Sequence, residues 1–314
     1  MKLYLGIDIG GTNIKIATVS GTGAVAGRGL VETREGEGAA RAFARIHAAA
    51  RALGPGGVEA VGIGCAGLVD ERRGVLTASP NLPAWQGAAL ARLASKHFSV
   101  PVLIQNDATC AAYGESVVRG AKGRNLVLIT LGTGVGGGIV VDGHVVRGAS
   151  GFGGEIGHMV VDAKGPRCHC GRHGCLEAYA GSYGVVRTAT ELRRASRGRR
   201  TGRDEKLSAF RVFESARAGE SWARETIRIA GEHLGIAVAI LLNTLNPSVV
   251  VIGGGVAGGF DALEPHLRRA VARHAFRETI AAARIERARL GNDAGVVGAA
   301  MLVRDAITKR HPRR

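Results

Sequence analysis

Two stretches of this chain repeat one pattern, and no other feature narrows the fold as much. "KLYLGIDIGGTNIKIATVS" (2–20) is a β-rich run, a Gly-Gly-Thr-Asn turn and a second β-rich run. "NLVLITLGTGVGGGIVV" (125–141) is an apolar run, a Gly/Thr turn and another apolar run. Each is a hairpin signal. They stand about 120 residues apart and each opens an α/β stretch, which implies a duplicated architecture with a cleft between its halves. A length of 314 residues fits two domains. The 49 glycines cluster around apolar runs with no fixed period, so they predict turns and close backbone approaches in a folded chain.

The rest of the pattern extends this plan. Residues 39–53 have helical spacing and stop at Gly54-Pro55. "VEAVGIGCAG" (58–67) reads as a strand running into glycines, and "VPVLIQND" (100–107) as a strand leading into a helix near 108–118. Helices are predicted near 176–196, 222–243 and 260–275, with strands at "SVVVIGGG" (248–255) and near 285–290, and a last helix from about 294. The boundary is expected near residue 115. Residues 1–115 would form a small N-terminal domain, with a last helix of about 296–314 packing back on it, and 116–295 a larger C-terminal domain.

Composition excludes several classes. Five cysteines, three of them between 168 and 175, do not form a disulfide framework. Asp8 and paired glycines interrupt the N-terminal stretch where a signal peptide is unbroken, and Asn243, Asn246 and Pro247 break the most apolar later segment. A cytoplasmic chain without membrane partners is expected. Much of the net charge of +16 sits at 187–211 and in the tail "KRHPRR", without the interleaved aromatics of a single-strand binder. That reads as a solvated face, with no nucleic-acid partner. A positive field would also attract an anionic substrate such as ATP.

Three Gly-rich turns follow β-rich runs: Gly10-Gly11-Thr12-Asn13, Gly132-Thr133-Gly134 and Gly253-Gly254-Gly255. Glycines there let backbone N–H groups converge on an anion. There is no P-loop signature, and "GTGVGG" is followed by a β-rich run where a dinucleotide fingerprint needs a helix. Asp8 either shapes its turn or orients a magnesium ion through water beside nucleotide phosphates. Asp107, where a strand gives way to a helix, is either an N-cap or a general base at the carboxyl edge of a sheet. Cys168, Cys170 and Cys175 with one histidine make a Cys₃His set typical of structural zinc. Spacing leaves His158, His169 and His173 open as the fourth ligand. Cys65 and Cys110 stand alone in apolar surroundings, as small core residues do.

Together these motifs resemble the ROK family of sugar kinases and repressors. The likeness runs from "LGIDIGGTNIKIA" through "PNLPAW", "QNDATCAAYGE", "TLGTGVGGGIV", "GGEIGH", "GCLEAYAG" and "NPSVVVIGGGV" to "GNDAGVVGAA". It implies the two-domain actin-like ATPase (ribonuclease H-like) α/β fold with a cleft. It implies that Gly10, Gly11, Thr12 and Asn13, with Gly132, Thr133 and Gly134, hold the phosphates of ATP. Asp8 would then lie near Mg²⁺, Lys15 with the nucleotide site, and Gly254 and Gly255 near the adenosine. Asn106, Glu155, His158 and Glu177 would bond sugar hydroxyls, helped by Asn81, and Asp107 would be the base. The family's zinc ligands match His158, Cys168, Cys170 and Cys175, a closed set that orders a loop beside the chemistry. In one departure, Ala66-Gly67 stands where the family has Pro-Gly, and without proline's fixed φ a looser turn is expected.

The resemblance implies an ATP-dependent hexokinase, foremost a glucokinase acting on the 6-hydroxyl, assembled as a homodimer or homotetramer. Kinases for N-acetylmannosamine, N-acetylglucosamine, fructose or allose are the alternatives. A sugar-responsive repressor would carry a DNA-binding segment ahead of a first strand that here begins at residue 2 or 3. A zinc-finger binder leaves the Gly turns and Asn106-Asp107 unexplained.

Overall fold

A computed structural model describes residues 2–54, 57–197 and 207–310. Pro55, part of the basic stretch (198–206) and the end of the tail (311–314) lie outside the described residues. Contacts divide the chain into two units. One comprises Met1–Leu126, Gly138–Gly154 and Arg289–Arg314; the other comprises Val127–Gly137 and Glu155–Ala288.

The first unit is built on strands β1 (Leu3–Ile9), β2 (Asn13–Ser20), β3 (Val25–Glu32) and β4 (Val61–Cys65), a small hairpin β5 (Leu68–Asp70) and β6 (Val75–Ala78), and β7 (Val102–Asn106). Its helices are α1 (Ala39–Arg51), α2 (Leu90–Ser95) and α3 (Asp107–Arg119). The main sheet runs β3-β2-β1-β4-β7. The predicted hairpin is there: β1 and β2 pair antiparallel from Leu3↔Ser20 to Ile9↔Ile14. β4 then pairs parallel with both β1 and β7, and is buried along its whole length, as an inner parallel strand must be. In α1, Ala39, Ala42, Phe43 and Ile46 face the core at helical spacing.

The second sheet holds β8 (Leu126–Leu131), β9 (Val135–Val141), β10 (His144–Val145), β11 (Val249–Gly253) and β12 (Arg284–Arg287) in the order β10-β9-β8-β11-β12. Hairpin strands at one side and parallel additions at the other repeat the first sheet, so the duplication read from the two Gly turns is real. The second unit also carries α4 (Glu177–Ala180), α5 (Ser182–Arg197), α6 (Ala209–Arg217), α7 (Ser221–Leu245), α8 (Phe260–His274) and α9 (Arg277–Ala282). The final helix, α10 (Ala294–Arg310), packs on α3, β1 and β4 within the first unit. Gly62 permits this: a Cβ there would overlap the Ala299 carbonyl. Among the described residues no helix is long and apolar enough to cross a membrane.

Candidate active site

In the first unit, parallel registry sets the chemistry. Asp8 lies level with Gly64, and Cys65 with Asn106, so Asp8, Ala66, Asn106 and Asp107 come to the carboxyl ends of adjacent strands β1, β4 and β7. Ligands of open α/β sheets collect at that edge. The helix cap is Asn106: its Oδ1 accepts from the Thr109 N–H at 3.0 Å, and Asp107 is the first helical residue. The plain N-cap reading therefore passes from Asp107 to its neighbour. Asp107 Oδ1 accepts instead from the Ala108 N–H (2.9 Å) and Asn106 Nδ2 (3.0 Å). Burial raises the Asp107 carboxyl above its ordinary range, and these hydrogen bonds pull against that rise. Asp8 is pushed up to about 6, first by burial and then by the charge of Asp107, while Lys15 lowers it. Lys15 Nζ stands 3.9 Å from Asp8 Oδ2 and donates to the Asn292 carbonyl at 3.4 Å.

A chain of side chains that sequence reasoning missed runs behind this pair. Gln105, 2% exposed, accepts from the Asn106 N–H through Oε1 (2.8 Å) and donates through Nε2 to Glu71 Oε2 (2.9 Å), which also accepts from Arg147 Nε. A glutamine in the apolar run "VLIQN" was the available signal. Asn106 Nδ2 also donates to the Gly67 carbonyl at 3.1 Å, and the Ala66 N–H donates to the Ile9 carbonyl at 3.1 Å. Alanine at this position supplies an N–H bond that proline cannot make. The first Gly turn is tied by Thr33, whose hydroxyl donates to the Gly10 carbonyl (2.7 Å) and whose N–H donates to the Thr12 carbonyl (2.9 Å). Gly11 and Thr12 are left exposed, with Asn81 packed against Gly11.

The second unit gathers the other predicted residues. Ligand atoms of His158, Cys168, Cys170 and Cys175 all lie within 4.8 Å of one another. The Cys170 and Cys175 sulfurs are 3.7 Å apart, close to the edge of about 3.8 Å that a tetrahedron of 2.3 Å Zn–S bonds requires. Three thiols and an imidazole on such a tetrahedron fit zinc. His158 Nδ1 lies 3.8 Å from Cys168 Sγ, whereas His169 stacks on Tyr183 and His173 bonds the Gly165 carbonyl. Geometry therefore selects His158 among the three histidines. Glu177 opens α4, and its Oε2 accepts from the Val135 N–H at 3.0 Å. Gly134 makes that approach possible, since a Cβ there would overlap Oε2. Ser182 bonds the Gly132 carbonyl through both its N–H (2.9 Å) and its hydroxyl (2.8 Å). Gly255 helps line a cavity of about 500 Å³ with Gly132, Thr133, Ser182, Phe210 and Phe213, and Gly254 precedes it at φ +90°. The two phenylalanines come from α6, a helix missed in the basic stretch. Glu155 is exposed just before the 3₁₀ turn Ile156–His158.

The ROK family model matches residues 4–306. The chain belongs to the ROK family. It is 34% identical to the glucokinase of Halalkalibacterium halodurans, over 96% of this chain and 95% of that one. A ROK family glucokinase from Streptomyces griseus, solved with glucose and AMPPNP, superposes with a TM-score of 0.81 at 34% identity, covering 96% of this chain and 99% of that one. Repressors are also similar: a xylose repressor of Caldicellulosiruptor bescii is 30% identical over 81% of this chain and 65% of its own length. The ROK kinase structures carry the actin-like ATPase fold, in agreement with the duplicated sheets.

Proposed function

We propose that the protein is an ATP-dependent hexokinase that phosphorylates the 6-hydroxyl of a hexose, with glucose as the preferred substrate. The observation that carries this reading is Asp107: a carboxylate at the start of α3, oriented by Asn106 and Ala108, made more basic by burial and set beside Asp8. Asp107 takes the proton as the hydroxyl oxygen bonds to the γ-phosphorus and the bridging bond to ADP breaks. Phosphoryl transfer has a loose transition state, so the protein's work is positioning and charge stabilisation.

The turns at Gly10–Asn13 and Gly132–Gly134 serve the phosphates, with Asp8 beside magnesium, and the cavity at Phe213 and Gly255 serves the adenosine. Asn81, Asn106, Glu155, His158 and Glu177 serve the sugar. A zinc ion held by His158, Cys168, Cys170 and Cys175 would supply a structural cross-link to the loop. His158, whose Nδ1 faces Cys168, would hold the ion there and keep Nε2 for a hydroxyl. Sequestering the sugar excludes water as a competing acceptor.

The test is ADP release by zinc-replete protein with Mg-ATP, in parallel with glucose, mannose, fructose, allose and the two N-acetylhexosamines. Glucose turnover well above the others is expected; turnover confined to an N-acetylated sugar transfers the mechanism to another substrate. The repressor relatives favour a second reading, a sugar sensor, for which sugar would bind without ADP release. Asp107→Ala is expected to abolish turnover while sugar binding persists. Near-normal turnover would remove Asp107 from its role as base.

A further inference from the structure

Part of the +16 charge is concentrated away from these residues, on α6, α7 and α8 of the second unit. Two adjoining cavities there, of about 510 and 300 Å³, share Arg228 and His266. Arg217 and Arg224 line the first, Arg269 and Arg273 the second. Two glutamates also line them, and both are committed. Glu225 takes two bonds from Arg228 (2.7 and 2.8 Å), and Glu232 pairs with Arg228 (2.5 Å) and Arg273 (3.5 Å).

Arg224 and Arg269 have no carboxylate partner among the described residues. Arg224 makes a 3.5 Å bond to the Ala216 carbonyl, and Arg269 Nη2 donates to His266 Nδ1 at 2.7 Å. Because Nδ1 accepts, the imidazole proton sits on Nε2, a further donor. Burial and the charges of Arg269 and Arg228 lower the His266 pKa. The groove thus has spare donors and positive charge, while its two carboxylates are taken by arginines. No Phe, Tyr or Trp lines it, which sets it apart from a base-stacking surface.

We propose that this groove is a binding site for a small anion carrying two or more phosphate groups, one at Arg224 and another at Arg269 and His266. Guanidinium forks match phosphate oxygens in pairs, and two separated unpaired arginines favour a ligand with two anionic centres over a single ion. Arg217 lines both this groove and the cavity at Gly255, so an occupant would lie next to that cavity. The inference stands whether or not the chain is a kinase.

Isothermal titration at 150 mM salt tests it, with inorganic tripolyphosphate as probe, with and without saturating AMPPNP to fill the phosphate turns. One equivalent should bind with AMPPNP present, any further equivalent seen without it being assigned to the phosphate turns. Arg224→Ala/Arg269→Ala should weaken it at least about tenfold, a loss of roughly one charge-assisted contact. Arg41→Ala/Arg72→Ala removes equal charge from exposed positions of the first unit and should change affinity less than twofold. A hexose 1,6-bisphosphate arm distinguishes an organic from an inorganic source of the phosphates. Equal losses in both double variants would reduce the effect to net charge and overturn the site. So would absence of tripolyphosphate binding, a single-stranded oligonucleotide binding there in its place, or a change in oligomeric state as the only consequence of Arg224→Ala/Arg269→Ala.

Discussion

Asp8→Asn should make the first unit more stable at neutral pH. The carboxyl of Asp8 has a folded pKa of about 6 against an ordinary 3.8, because burial and Asp107 disfavour its charge. The folded pKa lies above the unfolded one, so the group's stabilising contribution is complete below pH 3.8 and is lost as pH rises through 6. At pH 7.5 the ionised carboxylate then costs about 3 kcal/mol, and at pH 5 about half of that. Asparagine keeps the shape without the charge. It forfeits the 3.9 Å attraction to Lys15, which is 41% exposed and worth at most about 0.5 kcal/mol. The net gain is about 2–3 kcal/mol at pH 7.5, shrinking at pH 5. Urea unfolding in a Trp222→Phe background reads the first unit through Trp85, which is buried in its core. Asp107→Asn should shrink the gain by removing the neighbouring charge. A variant no more stable than the parent at pH 7.5, or one whose gain is equal at both pH values, would refute the reasoning. Turnover should fall in the same variant, the trade expected where a carboxylate is held against its solvation for function.

Other outcomes follow from the same geometry. Cys175→Ser should lose bound zinc, measured by metal analysis, and sugar phosphorylation with it; a metal-free variant with full activity would make the loop independent of the ion. Gln105→Met should lower kcat by about 10- to 100-fold with KM for the sugar little changed, since it removes the bonds to the Asn106 N–H and to Glu71 without touching Asp107. Equal effects on KM would make Gln105 merely structural. Ala66→Pro should destabilise the first unit by about 1 kcal/mol by deleting the bond to the Ile9 carbonyl, as read by its urea midpoint.

The sequence made the duplicated plan legible because it is written in local chemistry: apolar runs that end in glycines announce where strands stop and backbone approaches a ligand. It also brought Cys168, Cys170 and Cys175 together, since they lie within eight positions of each other, while spacing left the fourth ligand open among three histidines. Its misses were of another kind. β3 is an edge strand, alternately exposed, with Arg28 and two glycines among its positions, so it lacks the apolar run of a core strand. The helix expected at 176–196 is two helices separated at Gly181, and α6 lay hidden beside the arginines of the basic stretch. Glu71 and Arg147 reach Gln105 only because the fold brings residues 34 and 42 positions away to the end of β7, and no pattern along the chain encodes that.

Glu177 shows how one residue can bear on several parts of the second unit. The resemblance gave it to the sugar, yet its carboxylate is already shared. Oε2 takes the Val135 N–H directly after the Gly132–Gly134 turn, while Oε1 accepts from Tyr183 and Cys168 at 3.4 and 3.6 Å. The Tyr183 hydroxyl lies 3.4 Å from both Cys168 Sγ and Glu177 Oε1, so a Cys168 thiolate in a zinc site would compete with Glu177 for its one proton and leave the Val135 N–H as the firm hold on the carboxylate. Tyr183 is itself stacked on His169, between the ligands Cys168 and Cys170. The loop of Cys168–Cys175 therefore braces Tyr183, and Glu177 ties that loop to the Gly132–Gly134 turn through the Val135 N–H. A zinc ion held by His158, Cys168, Cys170 and Cys175 would thus bear on the Gly132–Gly134 turn through Glu177, with its four positions filled by protein.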